Sequence, residues 1–191
     1  MHLLSDPLPT TIELNGIPYE IDTDFKTMLI IEELLEDNSI QEGARLARAL
    51  ELLYIDNIEP YLIDEAISGL FWYWSMGSEK EDRGNQPDKK VDNSSIFSYR
   101  YDAPYIYSAF KTQYNIDLID ENLHWWKFLS LFKGLSGEHE LSKIIRYRSK
   151  KITPEMSQEE KAFYREMKLL YKIPDGKTQE EREAEIGDLF W

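Results

Sequence analysis

The stretch "ENLHWWKFLSLFKGL", Glu121 to Leu135, carries Trp125, Phe128, Leu129 and Phe132 at i, i+3, i+4 and i+7, the spacing of one helix face. Leu123, Trp126 and Leu131 take up much of the surface that remains. A helix apolar nearly all round is buried in a core or in an assembly. His124 and Lys127 are too few polar groups to make this run a cofactor box, so it reads as core, with Trp125 on the continuous apolar stripe and Trp126 turned towards a partner.

The same helical period recurs on both sides. Upstream, Asp24 caps a helix carrying Met28, Ile31, Leu34 and Leu35, and Ser39 with Glu42 makes a capping box before Leu46, Ala49, Leu50 and Leu53. Pro60 opens a third helix, with Ile63, Ala66, Ile67, Leu70 and Trp74 on one stripe. Asp102 caps another that carries Ala103, Ile106, Phe110 and Tyr114. Downstream, "EHELSKIIRYRSKK" forms a helix, and two capping boxes, Ser157 with Glu160 and Thr178 with Glu181, open the last two. Only the start departs from this pattern: Asn15-Gly16 separates Ile12-Glu13-Leu14 from Tyr19-Glu20-Ile21, the signal for a β-hairpin closed by a type I′ turn.

These signals predict a mainly α protein, an N-terminal β-hairpin followed by about seven or eight helices. The polar stretch "GSEKEDRGNQPDKKVDNSS" reads as a mobile linker and divides the chain. Residues 1–76 form a hairpin and an acidic helical part, 77–95 the linker, 96–172 an aromatic helical part, and 173–191 an acidic C-terminal helix.

The formal charge of −14 disfavours nucleic acid and anionic membranes as partners. It is unevenly placed: residues 1–75 hold 15 acids against 3 Lys or Arg, the remainder 21 against 19. The amino-terminal part therefore offers an acidic face. With no cysteine there are no disulfides or thiolate sites, which suits a reducing cytoplasm. The start, "MHLLSDPLPT", lacks the pattern of a signal peptide, and no apolar run approaches the ~20 residues of a membrane helix.

Catalytic and metal patterns fail on residue counts. Glu121 and His124 have the Glu-x-x-His spacing of di-iron bundles, but the other two histidines, His2 and His139, sit in no such pair. "HELSK" begins like a zinc protease motif and has Lys143 where the second histidine belongs. "DGKT", Asp175 to Thr178, lacks the glycine and the preceding strand of a P-loop and reads as a turn before a capped helix. The expectation is a non-enzyme without cofactor or metal, with catalysis through His124 as the least favoured class. Lys143, Arg146 and Lys150 line one side of a helix, a row that suits an acidic protein surface better than nucleic acid.

The order "FSYRYDAPYIYSAFKTQYNIDL", "LHWWKFLSLFKGL", "KIIRYRSK" resembles the bacteriophage gene-product-fifteen family of tailed phages and prophages of Gram-positive bacteria. The resemblance rests on Asp102, Ile106, Phe110, Tyr114, Ile116-Asp117-Leu118, His124-Trp125-Trp126-Lys127-Phe128, Ile145, Arg146 and Arg148, within residues 97–151. It implies a tail morphogenesis role without an active site, that of a tail assembly chaperone. Such a chaperone would hold the tape measure protein in the host cytoplasm, could also contact the tail tube protein and self-associate, and would be absent from the mature virion. The alternative is a minor structural component of the finished tail. The candidate partner-binding residues are Trp126, Lys127, Lys143, Arg146 and Lys150.

Overall fold

Asn15 and Gly16 both take positive φ, 50° and 78°, the type I′ geometry whose twist matches that of paired strands. They join β1 (Thr11–Leu14) to β2 (Ile17–Glu20), antiparallel, with Leu14 opposite Ile17 and Ile12 opposite Tyr19. Period-two alternation then sorts the faces: Ile12 and Leu14 are buried, whereas Thr11 and Glu13 are exposed.

This computed structural model describes residues 3–78 and 96–174. Among them seven α-helices follow the hairpin: α1 (Phe25–Glu36), α2 (Glu42–Leu53), α3 (Ile63–Trp74), α4 (Ala103–Tyr114), α5 (Trp125–Lys133), α6 (Glu140–Ser149) and α7 (Gln158–Leu170). The fold is mainly α with one amino-terminal hairpin, and no described helix is long and apolar enough to cross a membrane. Residues 79–95, most of the expected linker, and 175–191, with the expected last helix and its Thr178–Glu181 box, lie outside the described residues.

Most local signals act where the sequence puts them. Asp24 accepts from Lys26 N and caps α1, and Ser157 with Glu160 forms a complete capping box on α7. Pro60 opens a 3-10 turn, Pro60–Leu62, that leads into α3. The expected box on α2 does not form. Ser39 Oγ donates to Asp37 Oδ1 at 2.6 Å, and the same oxygen takes Ser39 N at 2.9 Å. That local turn competes for the hydroxyl, so α2 starts after Gln41 without a side-chain cap.

The described residues form two units. The first joins 3–78 with Ile106–Leu135, and the second joins 96–105 with 136–174, so the division falls inside α4. This differs from the expected grouping of 96–172 as one part. α5 packs on α1 and their starts share a backbone bridge: Phe25 N donates to Leu123 O and Trp125 N to Thr23 O, each at 2.8 Å. In the first unit α1 also packs on α2, α2 on α3, and α3 on β1.

The close approach of α3 to β1 depends on Gly69, where a Cβ would lie 2.6 Å from Tyr54 Oη and 2.7 Å from Ile12 Cγ2. It also turns α3 from its expected stripe. Tyr73 is fully buried beside Ala66 and Leu70, Ile63 is exposed and Trp74 only half-buried. In the second unit α6 packs on α7, with the Tyr147 ring 5.8 Å from that of Phe163; Leu141 and Ile144 are buried on α6, while no residue of α7 is fully buried.

Candidate functional site

His124 is the N-cap of α5. Its Nδ1 accepts from Trp126 N at 3.1 Å, and its Nε2 lies 2.9 Å from Pro9 O. A ring that accepts at Nδ1 and donates at Nε2 is the neutral tautomer. Burial pushes its pKa below the usual histidine value, the Pro9 carbonyl opposes the fall and the Lys127 charge adds to it. Glu121 precedes the helix and is exposed, so the Glu-x-x-His pair shares no helix face. Backbone capping accounts for both ring nitrogens.

Behind that cap, Phe128 is the centre of an aromatic stack. Phe25 lies 4.6 Å away at 15°, Phe110 5.2 Å at 12°, Trp125 5.7 Å at 17° and Phe132 6.0 Å at 16°. Trp126, expected at a partner surface, is only 2% exposed. Its Nε1 donates to Tyr73 O at 2.7 Å, and its ring stacks on Tyr73 at 5.9 Å. The correction has a physical origin: the end of α3 brings Trp72 and Tyr73 against the second face of α5, so both tryptophans of the pair are core.

A groove of about 250 Å³ opens among α1, α2 and α3. Leu35, Leu46, Phe71 and Trp74 give it apolar walls, and Phe71 remains 39% exposed. The same groove holds Glu32, Glu36 and Glu42 against the single cation Arg45. Burial, reinforced by the Glu36 charge and partly offset by a hydrogen bond from Trp74, pushes Glu32 up to about 7. Glu32 Oε2 and Arg45 Nε are both buried and lack hydrogen-bond partners. Arg45 spends Nη1 on its own neighbourhood, donating to Leu35 O at 2.7 Å. The groove thus combines an apolar wall with acidic side chains and two buried polar atoms that lack hydrogen-bond partners. Sequence periodicity had placed Leu35, Leu46 and Trp74 in the core, and nothing in the sequence marked Glu32.

In the second unit, Arg146 and Lys150 are exposed and Lys143 half-buried on α6 and its C-cap, three and four residues apart on one side. Lys143 makes only a 3.5 Å pair with Glu140, and Lys150 stands over the Tyr164 ring at 5.8 Å. Lys127, in the first unit, is exposed. Sequence reasoning named Arg148 only as part of the family-matching string and gave it no partner. Its side chain is 7% exposed and holds the fully buried Asp102 through Nη1 and Nη2 at 2.7 and 2.9 Å. Asp102 was expected only as a helix cap; its Oδ2 also accepts from Ser98 N at 3.0 Å.

Compared with known families, the chain matches the model of the Bacteriophage Gp15 protein over residues 4–173. Neither the curated proteins nor the solved structures include a significant match.

Proposed function

The chain belongs to the bacteriophage Gp15 protein family, and from that premise we propose that it is a non-catalytic tail morphogenesis protein, an assembly chaperone that binds the tape measure protein while the tail tube forms. The groove of the first unit is the observation that supports a holding role, because it offers partly exposed apolar surface to a client. His124 supports the non-catalytic reading, because both ring nitrogens are engaged with backbone. Lys127, Lys143, Arg146 and Lys150 remain contact residues in this proposal, since each keeps solvent-facing charge. Trp126 does not, because a side chain 2% exposed has no surface to offer.

Co-expression with a phage tape measure protein, followed by pull-down from the host cytoplasm, tests the reading. Retention of the tape measure protein in soluble complex is the expected result. Stoichiometric recovery of the chain in purified virions would instead assign it to the finished tail.

A further inference from the structure

We propose that the chain self-associates head to tail: the cationic face that α6 and α7 build on the second unit docks on the acidic face that the hairpin and the start of α3 build on the first unit of a second copy. The contact needs no client, so it stands apart from the tape measure reading.

Helical spacing assembles the cationic face. Lys143, Arg146 and Lys150 stand three and four apart on α6 and its C-cap, and Lys161, Arg165 and Lys168 four and three apart on α7. The two rows adjoin, because Lys150 Nζ stands 5.8 Å over the Tyr164 ring and Lys168 Nζ donates to Arg148 O. Neighbouring acids leave most of the charge in place. Glu140 reaches Lys143 only at 3.5 Å, Glu160 accepts from Ser157 N in its capping box, and spacing turns Glu159 and Glu166 to the other side of α7. Residues 136–174 hold 9 Lys or Arg and 6 Asp or Glu. Leu169, one turn on from Arg165 and 78% exposed, adds an apolar anchor.

The first unit carries the complement. Asn15 N donates to Glu65 Oε1 at 2.9 Å, and Ile55 N to Glu20 O at 3.0 Å. These bonds draw the hairpin acids Glu13 and Glu20 towards Glu65 and Asp56, and Glu59 and Asp64 stand on the connection into α3, all six exposed. The segments 11–20 and 55–65 contain no Lys or Arg. Tyr61, 74% exposed, and the exposed Ile55 supply apolar anchors among these acids.

Complementary charge names the occupant. A second copy brings an acidic surface with apolar anchors to a basic surface with one. A phosphate backbone would match the cations but offers nothing to Leu169. The formal charge of −14 opposes the approach of two copies, yet salt screens it beyond ~8 Å, whereas facing rows act at contact. Because the two faces differ, the contact is heterologous, and copies add until a ring closes.

Sedimentation of the full chain alone tests this. The wild type should assemble with rising concentration and fall back to monomer as NaCl rises from ~0.15 to ~1 M. Arg146→Glu with Arg165→Glu reverses one face and Asp56→Lys with Glu59→Lys the other, all at exposed positions. Each double variant should keep wild-type helicity and melting temperature and associate at least ~10-fold more weakly. Mixing the two should restore assembly, because each reversed face then meets its new complement. A wild type that stays monomeric to ~100 μM, or assembly that either variant retains, would overturn the proposal. Loss in both variants without recovery on mixing would overturn the pairing of these two faces. A monomeric chain that shifts duplex DNA or RNA, and ceases to in Arg146→Glu with Arg165→Glu, would give the basic face to nucleic acid instead.

Discussion

Removing the carboxylate of Asp102 should destabilise the second unit far more than a surface ion pair would. Asp102 is 0% exposed and Arg148 7%, and their two hydrogen bonds, at 2.7 and 2.9 Å, form a bidentate pair. The same guanidinium donates to Ile96 O at 3.2 Å and to Tyr171 O at 2.6 Å. It therefore ties the segment before α4 and the residue after α7 to α6. In Asp102→Ala the guanidinium stays buried without its counter-charge, and breaking a buried pair in this way costs ~3–5 kcal/mol, against ~0–1 kcal/mol for an exposed one. For a chain of this size that is a fall in melting temperature on the order of 10 °C. Hydrogen exchange should show the loss concentrated in 96–105 and 136–174. Replacing both partners by apolar residues, Asp102→Leu with Arg148→Met, should recover much of it, because desolvating two charges offsets most of what their attraction returns. A single Asp102→Ala variant within ~0.5 kcal/mol of wild type, or a double variant no better than the single, would refute the reasoning.

Trp126→Ala should lose ~3–5 kcal/mol of stability in urea melts, because it empties a site 2% exposed between Tyr73 and Trp72; native stability with lost client binding would put Trp126 back at an interface. Gly69→Ala gains ~1 kcal/mol of helix propensity, yet its Cβ would meet Ile12 and a Tyr54 hydroxyl already bonded to Ala66 O, so a net loss of ~1–2 kcal/mol is expected in denaturant melts. Glu32, with its folded pKa raised from 4.5 to about 7, binds its proton more tightly in the native than in the unfolded state. Its stabilising contribution is thus complete below pH 4.5 and is lost as pH rises through about 7, and Glu32→Gln should flatten that slope and add on the order of 2 kcal/mol at pH 8. Equal slopes for both proteins in melts from pH 5 to 8 would contradict this.

The hairpin, the caps at Asp24 and Ser157 and the helical period of α1, α2 and α5 were legible because each depends on residues within a few positions of one another. The same locality explains the failures. Ser39 had two short-range options, and the Asp37 turn took the hydroxyl that the α2 cap would have used. The order of the His-Trp-Trp-Lys-Phe string and its flanks was enough to indicate the family. Local spacing could not decide which elements meet. Trp126 became core only because the end of α3 closes over it from 53 residues away, and Arg148 found Asp102 across 46. Glu32 sits on α1 among ordinary surface acids in the sequence. The packing of α2 and α3 around it raises its pKa and leaves Oε2 without a donor, because desolvation depends on what surrounds a group in space rather than along the chain.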